Sequence, residues 1–342
     1  MIFALGKLLA WQSYWWLVLL IGKSRESVTD LVITEGDVFS TRLWLRRAVI
    51  FKTKSNRFVI GRTHLPASSL NRRRWPLGLV SNCWKTQLDV GVGLDSLIVE
   101  AEQRGLSVIE LRQTCIGDYE DGPSFTPNAT RLTQLQTRFQ HIQFNIALSL
   151  PCLSGSLLSD DLLFVAGKNA AVALAGSHAP HLRLVDLQTP TDQCTAESVE
   201  HAACRLAELT LSLKEVGGIL SIEHAWQPWS WFCAVLWAAR KRLGNGADQL
   251  RLCFDPCNLL LTEPIQDFDG IVASVELSGL SMIHIKQRRD GKIQPDLTAG
   301  DLHWPSLISQ LVAREYCGPI LFEIAPHTDV WSHLDDALNQ YF

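Results

Sequence analysis

The fold class predicted by the sequence is α/β: a (β/α)₈ barrel preceded by an N-terminal extension. Three observations carry that prediction. From residue 77 onward, short apolar runs alternate with longer amphipathic stretches, eight runs in all, and one such barrel typically uses about 250 residues as a single domain. The runs are continuously apolar, as suits parallel strands covered by helices on the outside. No strand-to-helix turn carries G-x-G-x-x-G, so the alternative, an open doubly wound sheet, lacks its dinucleotide fingerprint.

The elements follow in order. Residues 1–75 differ from the rest. MIFALGKLLAWQSYWWLVLLIG is rich in Trp and Leu and borderline against the roughly 20 apolar residues of a membrane span. No small-residue cleavage site follows it. The basic stretches RLWLRR and NRRRW come next, a composition suited to an anionic membrane surface. We read 1–75 as an extension, disordered or amphipathic, with no catalytic role and compatible with weak membrane association. Residues 76–342 form the barrel domain. LGLVSNCW (77–84) is a strand leaving its sheet at Ser81 or Asn82. A helix over 93–105 stops at Gly105. Strands at 106–112 and 141–150 flank a helix ending at 138. A small-residue helix near 158–175 leads to strand 181–188. The long helix 194–217 has Thr195 as its N-cap and Glu197 and Glu200 early, where the helix dipole favours them. Strand 218–224, helix 231–244, strand 250–255, a weaker helical segment at 264–278 and strand 280–286 follow. Helix 304–318, with Pro305 in its first turn, precedes the last strand, 319–324.

Composition narrows the function. The 342 residues are 47% hydrophobic, ample for a large core. Lys plus Arg number 31 and Asp plus Glu 35, for a net charge of −4. That balance gives no footprint for nucleic acid. Nine cysteines without a repeated C-x-x-C read as reduced thiols of a cytoplasmic protein. A zinc-thiolate site fits poorly. A homo-oligomer is compatible with the sequence, which does not decide the matter.

In such barrels the chemistry sits where strands meet the loops that follow them. Late in the chain those positions hold Glu223 (SIEHAW), Asp255 (CFDPCN), His284 (MIHIK) and Glu323 (LFEIAP). Buried carboxylates are costly unless paired or metal-bound, and three together repel. A divalent cation removes both problems. Three oxygen donors and one imidazole suit Mn²⁺, Mg²⁺ or Co²⁺, and Zn²⁺ also fits. His224 follows Glu223 directly, so on a strand it points the other way and stays outside the set.

From about residue 77 to 325 the chain resembles the xylose-isomerase-like barrels, which include sugar isomerases, keto-sugar epimerases, inosose and dehydroshikimate dehydratases, and endonuclease IV. The resemblance rests on HIK (284–286), on GDLHWPSLISQLVAREYCGPILFEI (300–324), and on SVIELR (107–112), which carries Glu110 and Arg112. It implies that Glu223, Asp255, His284 and Glu323 are ligands of a single metal and that Glu223 and Glu323 double as the catalytic acid/base pair. Many relatives have His three residues after the ligand Asp. Here that position is Asn258, which hydrogen-bonds but does not titrate. Gln287 stands where many relatives have a carboxylate, and the richer ligand set of endonuclease IV is missing. The expected reaction is isomerisation or epimerisation of a polyhydroxylated small molecule through an enediolate, with dehydration of an inosose or dehydroshikimate-like compound as one alternative and a non-catalytic sugar-binding or assembly barrel as another. Expected substrate contacts are Asn258, Arg112, Lys286, Trp226 and Glu110. Trp84 and Trp229 are candidates to line the pocket.

Overall fold

A computed structural model describes residues 49–52, 58–61, 75–188, 195–261 and 268–342. The chain divides into two units, residues 1–63 and 64–342. In the first, Val49–Lys52 and Phe58–Gly61 pair as two antiparallel strands, an element the sequence reading did not anticipate. The apolar N-terminal run lies outside the described residues, and among the described residues no helix is long and apolar enough to cross a membrane.

The second unit contains the barrel. Its strands are β1 (Leu77–Val80), β2 (Val108–Arg112), β3 (Gln143–Ser149), β4 (His181–Val185), β5 (Ile219–Glu223), β6 (Leu250–Phe254), β7 (Leu280–Ile285) and β8 (Ile320–Phe322). All neighbours are parallel, in sequence order, and β8 closes onto β1. After a one-turn helix at Lys85–Asp89, the barrel helices are α1 (Leu94–Gln103), α2 (Ala129–Arg138), α3 (Leu162–Leu174), α4 (Ala196–Lys214), α5 (Trp229–Leu243), α6 (Phe268–Ser274), α7 (Trp304–Ala313) and α8 (Val330–Tyr341). The chain turns out of β1 at Ser81, into a 3₁₀ turn. Gly105 ends the turn after α1 at φ +77°, where a Cβ would be strained. Thr195 caps α4 in a reciprocal pair: its hydroxyl accepts from the Ser198 amide, and Ser198 Oγ accepts from the Thr195 amide. Of the weak segment at 264–278, residues 264–267 lie outside the described residues, Phe268–Ser274 form the short α6, and Leu277–Gly279 form a 3₁₀ turn. The C-terminal α8 lies beyond the last predicted strand and was not predicted.

Strand side chains alternate in direction, and the barrel sorts them into two cores. Outward residues of the strands pack with the helices in one large cluster. Inward residues at the base form a second, small one: Val80, Val108, Cys253, Met282 and Leu321. Two residues further along their strands, β2, β6, β7 and β8 place Glu110, Asp255, His284 and Glu323. The charged residues therefore sit one layer above an apolar floor. Trp75 also belongs with the barrel: it is buried, its indole N–H donates to the Tyr316 carbonyl at 2.6 Å, and its ring meets Phe342 edge-on. No disulfide forms among the cysteines of the described residues.

Candidate metal centre and active site

Glu223, Asp255, His284 and Glu323 are all buried, and one ligand atom from each lies within 4.8 Å of the others. They come from four consecutive strands, β5 to β8, at the ends where the loops begin. Each is held by local chemistry. Asp255 Oδ1 accepts from the backbone N–H groups of Cys257 (2.8 Å) and Asn258 (3.3 Å), an Asx turn that explains the D-P-C-N run. Its Oδ2 faces inward, 2.5 Å from Lys286 Nζ. Glu223 Oε2 pairs with Arg183 Nη1 at 2.6 Å, while its Oε1 accepts from Asn258 Nδ2 at 2.9 Å. Glu323 Oε2 accepts from Lys286 Nζ at 2.9 Å and its Oε1 from Asn82 Nδ2 at 3.4 Å. His284 Nε2 lies 3.4 Å from both Glu110 Oε1 and Cys253 Sγ.

The electrostatics follow from burial and neighbours. Burial alone pushes each carboxyl up. At Glu223 the Arg183 guanidinium outweighs it and brings the pKa down to about 2. At Glu323, Lys286 and His284 likewise win, and the carboxyl sits well below its usual range. At Asp255 burial wins over Lys286, and the pKa rises to about 6. Burial pushes the Cys253 thiol up to about 12, so it is neutral at pH 7.

The donor set fits a divalent cation. His284 Nδ1 is buried and makes no directed hydrogen bond among the described residues, and Asp255 Oδ2 has the Lys286 ammonium beside it at 2.5 Å. Both lie at the centre: Nδ1 is 3.3 Å from Glu323 Oε2 and 3.7 Å from Glu223 Oε1. An unpartnered buried nitrogen is rare in protein interiors, and this one shares a small space with three carboxylates. With His284 neutral, as a metal-ligating imidazole is, four buried carboxylates, including Glu110, face two fixed cations, Arg183 and Lys286, leaving two negative charges for a divalent ion to balance. Three oxygens and an imidazole are the ligand chemistry of Mn²⁺, Mg²⁺, Co²⁺ or Zn²⁺.

The remaining predicted residues are placed as follows. Lys286 is buried between Asp255 and Glu323. Asn258 spends its amide N–H groups on Glu223 and on the His224 carbonyl (2.8 Å). Arg112 ends β2, half-buried, with its backbone N–H on Ser81 Oγ. Trp226, in the loop after β5, is 41% exposed. Glu110, expected among the substrate contacts, is fully buried, with its oxygens taken up by Arg183 and Asn145. His224 points away from the ligands, as its parity predicts, into the Trp229 and Phe232 rings. Trp229 stacks on Phe232, and the fully buried Trp84 packs on Trp331, so both pack within the core. Gln287 ties down the loop after β7, donating to the Thr298 and Leu302 carbonyls.

Sequence reasoning missed Arg183, Asn145 and Asn82. The signal for Arg183 was present: a charged residue inside HLRLV, an apolar strand, needs a buried partner.

No protein-family model matches the chain, and no curated protein matches it in sequence. Solved structures do match in fold. A structure of the IolI protein with a binding zinc atom aligns with TM-score 0.55 and 16% identity, over 78% of this chain and 99% of that one. D-allulose 3-epimerase from Methylomonas sp., in complex with D-allulose, aligns with TM-score 0.54 and 16% identity, over 78% and 95%. L-ribulose 3-epimerase gives 0.53 and 15%, over 78% and 91%. The chain is thus a (β/α)₈ barrel with a buried candidate metal centre at the loop end of its strands. A xylose isomerase-like TIM barrel/4-hydroxyphenylpyruvate dioxygenase fusion protein shares this fold at TM-score 0.54 and 10% identity, over 75% of this chain and 39% of that one.

Proposed function

We propose that the protein is a divalent-metal-dependent isomerase or epimerase acting on a sugar, keto-sugar or related polyol through an enediolate. The observation that carries this reading is the convergence of Glu223, Asp255, His284 and Glu323 in one buried space. The fold neighbours support it: two are sugar 3-epimerases and one carries zinc. Those four residues would hold the cation, which when bound supplies Lewis-acid stabilisation to negative charge developing on a carbonyl and its neighbouring hydroxyl.

The protein's own residues do the rest. Glu223 and Glu323 are the proton-transfer pair: one removes the proton beside the carbonyl, and for epimerisation the other returns one from the opposite face. Lys286 holds Glu323 and Asp255 together and offsets their charge. Asn258 fixes the orientation of Glu223. Arg112 and Trp226 are the substrate contacts on the loop side, Arg112 toward an anionic or hydroxyl group and Trp226 toward a sugar face. The catalytic unit is the barrel over residues 76–342, with 1–75 an extension that a membrane surface could engage weakly, in a cytoplasmic protein.

The test is exchange of substrate α-protons with solvent deuterium, screened over keto-sugars and cyclitols. Chelation should abolish exchange, and Mn²⁺ or Co²⁺ should restore it. Glu223→Gln should lower the exchange rate about 10²–10⁴-fold and weaken metal binding. Negligible metal affinity in the wild type, or exchange that survives chelation, would overturn the reading.

A further inference from the structure

We propose that Glu110 and Arg183 form a buried yoke that positions two of the metal ligands, His284 and Glu223, and thereby sets the affinity and geometry of the metal centre. This inference rests on the metal-centre reading above. The chain of contacts is continuous. Arg183 uses its fork in both directions: Nε and Nη2 donate to Glu110 Oε1 at 3.0 and 2.5 Å, and Nη1 meets Glu223 Oε2 at 2.6 Å. The same Glu110 oxygen lies 3.4 Å from His284 Nε2. Asn145 Nδ2 holds the other Glu110 oxygen at 3.3 Å and reaches Met282 Sδ at 3.7 Å. Glu110, Asn145 and Arg183 come from β2, β3 and β4, three strands that contribute none of the four ligands.

The geometry is that of a ligand-orienting layer. An imidazole that gives one nitrogen to a metal commonly donates its other N–H to a carboxylate, which fixes the ring. Glu110 stands on the side where that carboxylate belongs, at 3.4 Å beside the Cys253 thiol at the same distance, and Nδ1 is the nitrogen left facing Glu223 and Glu323. Arg183 takes up Glu223 Oε2, so Oε1 is the oxygen turned toward His284 Nδ1. A planar fork can span two carboxylates in this way, and a lysine point charge cannot. A wholly buried ion pair is weak as a stabilising device, because apolar residues of similar volume often serve as well or better. The placement of this pair against two ligands gives it a different use. Neither residue belongs to the candidate ligand group, so both are positioning residues.

The test compares the full-length wild type with Glu110→Gln, Arg183→Lys and the charge-neutral pair Glu110→Gln/Arg183→Met. Mn²⁺ affinity is measured by calorimetry, and the visible absorption of Co²⁺-loaded protein reports ligand geometry. In the pair variant the Mn²⁺ dissociation constant should rise roughly 10–100-fold and the Co²⁺ spectrum should change. Arg183→Lys should recover only part of the affinity. Should the pair variant not fold, Glu110→Gln alone decides by the same two readouts, since Gln keeps the shape and an acceptor for Arg183. Folded variants with wild-type Mn²⁺ affinity and an unchanged Co²⁺ spectrum would sink the yoke and leave the metal centre standing. A wild type that binds neither ion would sink both.

Discussion

His181 stands near the base of the barrel interior, buried, with its Nε2 2.5 Å from Ser221 Oγ. Burial first, then the nearby Arg251 and Arg183, bring its imidazole down to about 4, against an upward pull from Glu110. Its folded-state pKa is thus below its unfolded value of 6.5. The unfolded chain binds the proton first, so the stabilisation is present above pH 6.5 and is lost as pH falls through 4. At most about 3 kcal/mol is at stake. His181→Gln should therefore flatten the fall of the urea midpoint between pH 6.5 and 4; an equally steep fall in the variant would refute this. At this scale the sequence was legible where a charged residue ended an apolar run, which is how the four candidate ligands that converge in the barrel were picked out. It was less legible inside a run. Arg183 and Arg251 both occur as L-R-L in a strand, yet Arg183 is fully buried between two glutamates and Arg251 is half-exposed, donating to the Asp248 carbonyl. Both pair in register with Ser221, so what separates them is the partner each meets, which emerges only once the strands are assembled.

At the level of elements, β1 and β2 approach closely at Gly78. A Cβ there would lie 2.0 Å from the Val108 carbonyl oxygen, a backbone atom of a paired strand that has nowhere to retreat. Gly78→Ala should cost at least about 2 kcal/mol, in the upper part of the range for overpacked cores. A thermal midpoint within a degree of wild type would show that β1 can shift to accommodate it. The eight strands were readable because each is an apolar run bounded by turn residues, and seven helices because their apolar positions recur at helical spacing. The terminal α8 went unread although it buries Val330, Leu334, Leu338 and Tyr341. The barrel pattern was complete at the eighth strand, and no ninth strand followed to mark a helix between. The two-residue strand pairs at Glu120–Asp121 with Thr126–Pro127, and at Arg288–Arg289 with Lys292–Ile293, are too short to leave a periodic signal.

For the molecule as a whole, any ion that binds only the closed barrel must stabilise it. At 100 times its dissociation constant, Mn²⁺ should add about 2.7 kcal/mol, or roughly 5 °C in thermal midpoint for a domain of this size. A fragment beginning at Arg74, which keeps Trp75 against Tyr316 and Phe342, should show the same shift as the full chain. A smaller shift in the fragment would assign residues 1–73 a part in the centre. The arrangement of the barrel interior also bears on the order in which the protein is made. Glu110, Asn145 and Arg183 precede every one of the four ligands in the sequence. During synthesis, at about 5–20 residues per second, the acid and its guanidinium leave the ribosome on the order of ten seconds before Glu323 does. The opposite charges of the yoke can meet before the crowded carboxylates arrive. On the proposed reading, a chain cut short before its eighth strand lacks Glu323 and so has no complete candidate centre in which to trap an ion.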